Sequence, residues 1–253
     1  MEKVVIPTTV VSIENFAFDH CFELRELNIP HSVTELGLNF TCTYNLTTIN
    51  VDAENPVYSS CDGILYNKDR TKLLLIPPGK VGSFAVPEGV TEVGASAAEY
   101  CLLDTIVFPS TLEKIGNRAF LRAEQAEIIF PDDCHLTEIG DWAFAWLFMP
   151  KLVLPESLEH IGRGCFYGNT YLKELYLPES LQYTEGEEFG IYWNLEEVHI
   201  RAQEPPTIGS STFVRDTNPL IQWIPRYLYV PEGCREKYEA ADWWSWNFNI
   251  LEE

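Results

Sequence analysis

The residue types that could do chemistry are present in this chain, but they do not form a recognised catalytic or metal-binding spacing. The histidines are His20, His31, His135, His160 and His199. None falls in the H-E-x-x-H spacing of zinc proteases, and no G-x-S-x-G sequence places a serine nucleophile on a sharp turn. Carboxylates are abundant, so a pair acting as in glycoside hydrolases stays open as an alternative. We predict a non-enzymatic protein with no catalytic residues, no metal and no cofactor, because most carboxylates occupy variable positions of the repeat described below.

Two short motifs resemble ligand loops, but their spacing favours structural turns. Asp62-Gly63 lacks the second acidic residue that a calcium loop needs, so it predicts a turn before a strand. The sequence GRGCFYG at 162–168 does not match G-x-G-x-x-G and does not directly follow a strand, which argues against phosphate binding. The seven cysteines have no C-x-x-C pair, which argues against zinc. We expect most of them to be buried as small apolar residues, with a disulfide framework as the alternative.

The charge balance limits the partners. The 38 acidic and 17 basic residues give a formal net charge of −21, which repels nucleic acid and anionic membrane surfaces. A basic partner is compatible, although a solvated acidic surface alone explains the charge. No apolar run reaches the length of a transmembrane segment. The chain lacks a signal peptide and begins in mid-pattern at MEKVVIP, so we expect a fragment or processed form of a longer protein.

A sequence repeat dominates the chain. Its first element is clearest in LRELNIP (24–30), LDTIVFP (103–109), QAEIIFP (125–131), MPKLVLP (149–155) and LKELYLP (172–178). Looser copies end at 7, 52, 87, 201 and 231, and most intervals are 22 to 24 residues. Its second element is clearest in IENFAF (13–18), IGNRAF (115–120), IGDWAF (139–144), IGRGCF (161–166) and IGSSTF (208–213), with degenerate copies from 36, 93 and 184. Such a period indicates a solenoid.

Each position of the repeat has a physical reason. The apolar residues one and three before the final position alternate with polar ones, which predicts a short strand with those two residues facing inward. Proline then ends the strand, because it lacks an N–H. We expect the glycine of the second element to permit a tight turn, the small residue to let coils approach, and the phenylalanine to fill the space between coils. One coil cannot bury its own apolar face, whereas stacked coils bury these faces against one another.

Read at 155–178 with small offsets, the run P-x-S-L-x-x-I-G-x-x-A/C-F followed by L-x-x-L-x-L-P resembles the BspA-like leucine-rich repeats of bacterial surface proteins. The resemblance covers nearly the whole chain. It implies an α/β repeat solenoid, a right-handed leucine-rich-repeat superhelix rich in β-structure. A parallel sheet would lie on one face, with turns and short helical segments on the other. It also implies an extracellular or outer-cell-surface location, and adhesion to host matrix proteins or to other cells.

We predict one leucine-rich-repeat domain over 1–253, with about eight to ten repeats. Residues 55–80 break the period, and their strand-like GILYN and KLLLIP predict an inserted β-hairpin. Residues 232–253 predict a C-terminal cap, with a short helix from Cys234 onward. A strand would follow, with Trp244, Trp246, Phe248 and Ile250 on one buried side. Trp243 would be exposed, so Trp246→Ala should destabilise the fold while Trp243→Ala should not.

The candidate site is the outward face of the predicted sheet. The residue two before each final position points out, and from Val107 onward this row is apolar or aromatic. The residue four before adds a charged rim. The predicted ligand-binding residues are Val107, Ile129, Val153, Tyr176, His199, Tyr227, Tyr229, Lys151, Glu174 and Glu197. An exposed apolar stripe rimmed by charge is typical of a protein interface.

The predicted partner is a protein, such as a host extracellular-matrix or cell-surface protein. Three alternatives stay open. These side chains are good strand formers in any sheet, and another domain could cover them. Tyr176 and Tyr229 could bind a carbohydrate. The solenoid could also be a structural spacer that holds another domain away from the cell.

Overall fold

The computed structural model describes residues 3–38, 40, 42–184, 186, 189, 194–209, 212–213 and 226–253. The chain forms a solenoid of about ten turns, which confirms the predicted repeat fold. In chain order the strands are β1 (Lys3–Val4), β2 (Ser12–Ile13), β3 (Glu26–Ile29), β4 (Glu35–Leu36), β5 (Thr48–Val51), β6 (Tyr58–Cys61), β7 (Ile64–Asn67), β8 (Lys72–Leu75), β9 (Val81–Ala85), β10 (Glu92–Val93), β11 (Leu102–Val107), β12 (Lys114–Ile115), β13 (Glu127–Ile129), β14 (Glu138–Ile139), β15 (Lys151–Val153), β16 (His160–Ile161), β17 (Glu174–Leu177), β18 (Tyr183–Thr184), β19 (Glu197–Ile200), β20 (Tyr227–Val230) and β21 (Asn249–Glu252). Parts of five predicted repeat copies, at 1–2, 39 and 41, 185 and 187–188, 210–211, and 225, lie outside the described residues.

The first repeat element forms the front face of the solenoid. Its strands pair in parallel in three separate sheets, with the orders β1-β3-β5, β9-β11-β13 and β15-β17-β19-β20-β21. Burial alternates along each strand: in β17, Leu175 and Leu177 are buried, and Tyr176 between them is only half-buried. The inward and outward positions predicted from the period of two therefore hold.

The second repeat element forms a second face that the sequence analysis did not predict as a sheet. Its two-residue strands β10, β12, β14, β16 and β18 pair in parallel, and with the hairpin they make an eight-stranded sheet of order β18-β16-β14-β12-β10-β8-β7-β6, whereas β2 and β4 pair with each other in a separate sheet. The buried residue of each short strand is the repeat's second anchor, for example Ile115 and Ile139. From β9 to β19, each coil therefore contributes one strand to each of the two faces. Helix, in the described part of the chain, is confined to its last 20 residues or so.

The role predicted for the repeat glycine is wrong. Gly116, Gly140 and Gly162 follow the second anchor, and none has a positive φ. A Cβ on Gly162 would lie 2.6 Å from the backbone nitrogen of Asp141, and one on Gly116 would lie 2.7 Å from that of Ala95. These glycines are required because the backbone of the preceding coil approaches too closely for any side chain.

The left-handed positions lie three and seven residues beyond the second anchor. They recur as pairs in successive coils: Phe16 and His20, Ser96 and Tyr100, Arg118 and Arg122, Trp142 and Trp146, and Gly164 and Gly168. Most of these residues are not glycine, although a left-handed conformation costs roughly 1–2 kcal/mol for a residue with a Cβ. Hydrogen bonds to the next coil compensate, because the amides of Trp142 and Trp146 donate to the carbonyl oxygens of Arg163 and Tyr167 at 3.0 and 2.8 Å.

The hairpin region divides the interior into two apolar cores. β6 and β7 pair antiparallel across Asp62-Gly63, whose φ values are both positive, as a two-residue hairpin turn requires. β7 then pairs antiparallel with β8. Ile64 and Tyr66 face the large C-terminal core, whereas Leu65 between them packs in the smaller N-terminal core. The hairpin is therefore part of the stack and has apolar neighbours on both sides.

A column of phenylalanine rings fills the C-terminal core, in the role predicted from the repeat. It consists of Phe120, Phe144, Phe166, Phe189 and Phe213. Successive rings lie 5.2–5.8 Å apart and within 9° of parallel. The small residue one position earlier, such as Ala143 or Cys165, is fully buried and leaves room for this stacking.

The C-terminal segment follows the predicted helix but not the predicted strand. Helix α1 spans Arg235–Ala240, and a second helical turn, α2, spans Trp244–Asn247. Trp244 and Phe248, four residues apart, are both buried, whereas Trp246 is 61% exposed and Trp243 packs partly against the core. The prediction that Trp246 is buried and Trp243 exposed is wrong. It assumed a strand, in which alternate residues share a side, whereas residues Trp244–Asn247 form a helical turn, in which residues four apart share a side.

Candidate functional site

The predicted surface residues lie in two of the three front sheets. Val107 and Ile129 are paired in β11 and β13. The other eight lie in the five-stranded sheet, in two rows fixed by strand register. The first row is Val153, Tyr176, His199 and Tyr229, and β21 extends it with Leu251. The second row is Lys151, Glu174, Glu197 and Tyr227. The stripe is thus interrupted between β13 and β15, which belong to different sheets.

Three aromatic side chains of the first row form a stack, the ring ladder, made of Tyr176, His199 and Tyr229. The ring centroids of Tyr176 and His199 lie 4.3 Å apart with planes 3° from parallel. Those of His199 and Tyr229 lie 4.6 Å apart at 8°. In-register parallel strands about 4.8 Å apart bring residues at equivalent positions to this distance. The backbone therefore orders the ladder before any ligand arrives.

Stacking decides which part of each ring faces solvent. Both faces of the His199 ring are covered by its neighbours in the ladder. Beside the ladder, the Lys151 ammonium lies 4.4 Å from the centroid of the Tyr176 ring, in a cation–π contact. The ladder therefore presents ring edges to solvent, and a ligand that needs a free ring face finds the His199 face and the Lys151 side of Tyr176 occupied.

Negative charge surrounds the ladder. Both carboxylate oxygens of Glu253 lie within hydrogen-bonding distance of His199 Nδ1, at 2.9 and 3.1 Å. Glu197 Oε2 lies 3.5 Å from His199 Nε2. The pKa of Tyr229 is raised, first by burial of the hydroxyl and then by the charges of Glu197, Tyr227 and Glu253. The ladder therefore lies in a locally negative potential.

Two depressions border the ladder where the strands end. One, of about 150 Å³, is lined by Val153, Leu154, Glu156, Tyr176, Leu177, His199, Arg201 and Glu253. The other, of about 340 Å³, lies at the interruption between β13 and β15 and shares Val153, Leu154, Glu156 and Arg201 with the first. Arg201 Nη1 pairs with Glu156 Oε1 at 2.6 Å, and both side chains line both depressions.

The sequence analysis missed four residues of this surface. Glu156 and Arg201 lie beyond the ends of their strands, and the repeat pattern was examined only within the strands. Leu251 and Glu253 were missed because the last strand was placed several residues too early. The spacing of Trp244 and Phe248, four residues apart, is the signal that could have indicated a helical turn and moved the strand to Asn249–Glu252.

Among the described residues, no group of three or more His, Cys, Asp or Glu side chains is placed to hold a metal ion. All seven cysteines are free, and Cys101, Cys134, Cys165 and Cys234 are buried. Within the same described ranges, no helix is long and apolar enough to cross a membrane.

Solved bacterial structures share this fold. The pneumococcal vaccine antigen PcpA aligns with a TM-score of 0.75 at 26% identity, over 96% of this chain and 60% of that protein. A leucine-rich cell surface protein from Faecalibacterium prausnitzii A2-165 aligns with a TM-score of 0.55 at 22% identity, over 82% of this chain and 50% of that one. A leucine-rich repeat protein from Eubacterium ventriosum ATCC 27560 aligns with a TM-score of 0.52 at 19% identity, over 86% and 66%. The last two show similarity of fold alone. The chain spans between half and two thirds of these proteins.

The sequence gives the same assignment as the fold. No curated protein matches the chain. The family described as the BspA type leucine rich repeat region matches residues 1–77 and 82–218, in six copies. These ranges include most of the coils and both repeat elements. The chain belongs to the BspA-type leucine-rich-repeat family.

Proposed function

We propose that this chain is a non-catalytic binding module of a bacterial cell-surface or secreted protein, and that it binds protein partners through its front face. The observation that carries the proposal is the ring ladder, an ordered aromatic row on rigid strands. Val153, Tyr227 and Leu251 beside it are 52%, 36% and 37% exposed. Tyrosine is enriched among residues that dominate interface energies, and preorganised side chains lose little entropy on binding.

The comparisons support the surface location. PcpA is described as a vaccine antigen, and the Faecalibacterium protein as a cell surface protein. An extracellular role for this chain, adhesion to host matrix proteins or to other cells, extends that likeness. The two depressions support binding better than catalysis, because Glu156 and Arg201, charged side chains that line both of them, are paired with each other, whereas catalysis needs groups that converge on a substrate.

Carbohydrate binding is the second candidate considered, and the ladder argues against it. Sugars stack on exposed aromatic faces, but the faces of His199 are covered, and Lys151 lies over Tyr176. We therefore expect protein ligands on this surface. A spacer role would leave the same surface without any ligand.

The test is an array of purified extracellular-matrix and cell-surface proteins beside a glycan array. The double variant Tyr176→Ala with Tyr229→Ala should lose a protein signal seen with the wild-type chain. The matched control is Tyr171→Ala with Tyr183→Ala, two exposed tyrosines outside the front face, which should retain it. A glycan signal that depends on Tyr176 and Tyr229 would instead establish carbohydrate binding. No signal from a folded chain on either array would favour the spacer.

A further inference from the structure

We infer that the ligand of the ring ladder is a cationic, extended protein segment that carries lysine or arginine side chains. The inference rests on the proposed binding function of the front face and adds the chemistry of the partner. It follows from an imbalance of charge around Tyr176, His199 and Tyr229. The carboxylates of Glu174, Glu197 and Glu253 border these rings, and Lys151 is the cation in direct contact with them.

Register places like charges side by side. Glu174 and Glu197 are directly paired on β17 and β19. Like charges opposite each other on adjacent strands destabilise a sheet. Lys151 Nζ offsets Glu174 at 3.2 Å. In the described part of the chain, Glu197 and Glu253 form their side-chain ion pairs with His199 alone. A cation brought by a ligand would relieve the repulsion between these carboxylates.

The exposures of these side chains permit such a contact. The carboxylate side chains of Glu174, Glu197 and Glu253 are 42%, 39% and 48% exposed, whereas His199 between the last two is 13% exposed. The carboxylates therefore project beside a ring that is largely covered, and they remain accessible. The Lys151 ammonium over Tyr176 shows, within the chain itself, that this surface accommodates a cation next to its aromatic rings.

The overall charge favours the same partner. A chain with a net charge of −21 attracts basic proteins over a distance set by the Debye length. At the ladder, aromatic ring edges and carboxylates lie side by side, so a basic side chain can contact both there. An extended segment fits best, because the two rows of the sheet repeat at the strand spacing, and alternate side chains of an extended chain point to one side.

The experiment uses three labelled twelve-residue peptides that alternate serine with lysine, glutamate or glycine. Fluorescence anisotropy at physiological salt measures their affinities for the 253-residue chain. The ladder variant is Glu197→Gln with Glu253→Gln, which keeps side-chain shape. The matched control is Glu113→Gln with Glu159→Gln, which removes two carboxylates exposed beside the second face. Circular dichroism establishes that both variants keep the native fold.

The lysine peptide should bind more tightly than the other two. The ladder variant should weaken that binding about tenfold, as expected for two exposed ion pairs, and the control less than twofold. Equal weakening by both variants would overturn the inference, because the overall field would then suffice. Equal binding of the glutamate peptide would also overturn it. If an arrayed protein needs Tyr176 and Tyr229 but not Glu197 and Glu253, the binding function stands and the cationic assignment fails.

Discussion

The ring of Trp244 lies 5.7 Å from that of Phe213 at an angle of 53°. This contact joins the last phenylalanine of the column to the C-terminal helical turn. Trp244 is 1% exposed, and its Nε1 donates to the carbonyl oxygen of Pro206 at 3.0 Å. A buried indole with its N–H satisfied can close the end of an apolar column without an unpaired polar group.

Trp244 and Trp246 should differ sharply on mutation. Trp244→Ala should lower the free energy of unfolding by about 3–5 kcal/mol, because it opens a cavity at the end of the column. Trp246→Ala should change it by less than about 0.5 kcal/mol, because that ring is largely exposed. Urea unfolding followed by far-UV circular dichroism measures both. Similar losses for the two variants would contradict this arrangement.

The phenylalanine column should carry much of the stability. Phe166→Ala removes a fully buried ring that stacks on Phe144 and Phe189, and we expect a loss of about 3–5 kcal/mol in the free energy of unfolding. Phe148→Ala is the matched control, since that ring is 37% exposed and should cost below about 1 kcal/mol. Chemical denaturation of both variants checks the difference. A loss below 1 kcal/mol for Phe166→Ala would mean that the column relaxes to fill the space.

Gly168 tests the packing of the left-handed positions. Its φ is +77°, and a Cβ there would lie 2.6 Å from the indole of Trp146. Gly233 has almost the same φ, +78°, but open space around it. Gly233→Ala should therefore cost only the conformational penalty of about 1–2 kcal/mol. Gly168→Ala should cost a further 1–3 kcal/mol or so from overpacking.

Thermal melting of the two glycine variants separates the contributions, and near-UV circular dichroism reports the displacement of Trp146. Equal melting temperatures would show that the indole moves aside freely. A near-UV signal that changes in Gly233→Ala as well would show that the effect is not local to the ring.

Buried thiols predict a loss of stability in alkaline solution. Burial raises the pKa of Cys101 from its ordinary value of 9.0 to about 11. The folded state thus holds the proton more tightly than the unfolded state. The contribution of the protonated Cys101 thiol to the free energy of unfolding is therefore complete below pH 9, and it is lost as the pH rises from 9 towards 11. Cys101→Ala should flatten the decline of the urea midpoint over this window, whereas Cys61→Ala, at a partly exposed site, should not. Parallel declines for wild type and both variants would contradict the assignment.

The repeat could be predicted from sequence because its signals are local and recur. Alternation in strands such as Glu174–Leu177 separates Leu175 from Tyr176, and the same pattern returns in every coil. The phenylalanine position was predicted for the same reason. The second sheet was missed because a strand of two residues, such as Lys114–Ile115, is too short for periodicity to reveal.

Contacts between coils could not be predicted, because they depend on register. The glycine at 162 was given a conformational role, whereas its real constraint is the backbone of Asp141 one coil earlier. Of the ring ladder, the three members and their outward direction followed from the sequence. Their parallel stacking and the approach of Glu253 required the fold, because Glu253 lies 54 positions from His199 along the chain.

The hairpin has a consequence for how the chain comes apart. Strand pairing of the N-terminal coils stops at β5 on the front face and at β4 on the second face, and the hairpin belongs to the sheet of the C-terminal coils, from β6 through β7 and β8 to β10. In a linear array of coils, cooperativity passes only between nearest neighbours. The two segments are linked by Leu65 and Tyr66, which are adjacent in sequence but packed in different cores, and by single hydrogen bonds such as that from the Ile49 amide to the carbonyl oxygen of Gly63 at 2.9 Å. Under load or mild denaturant, we expect the N-terminal coils to detach first at this junction, while the segment that carries the ring ladder stays folded.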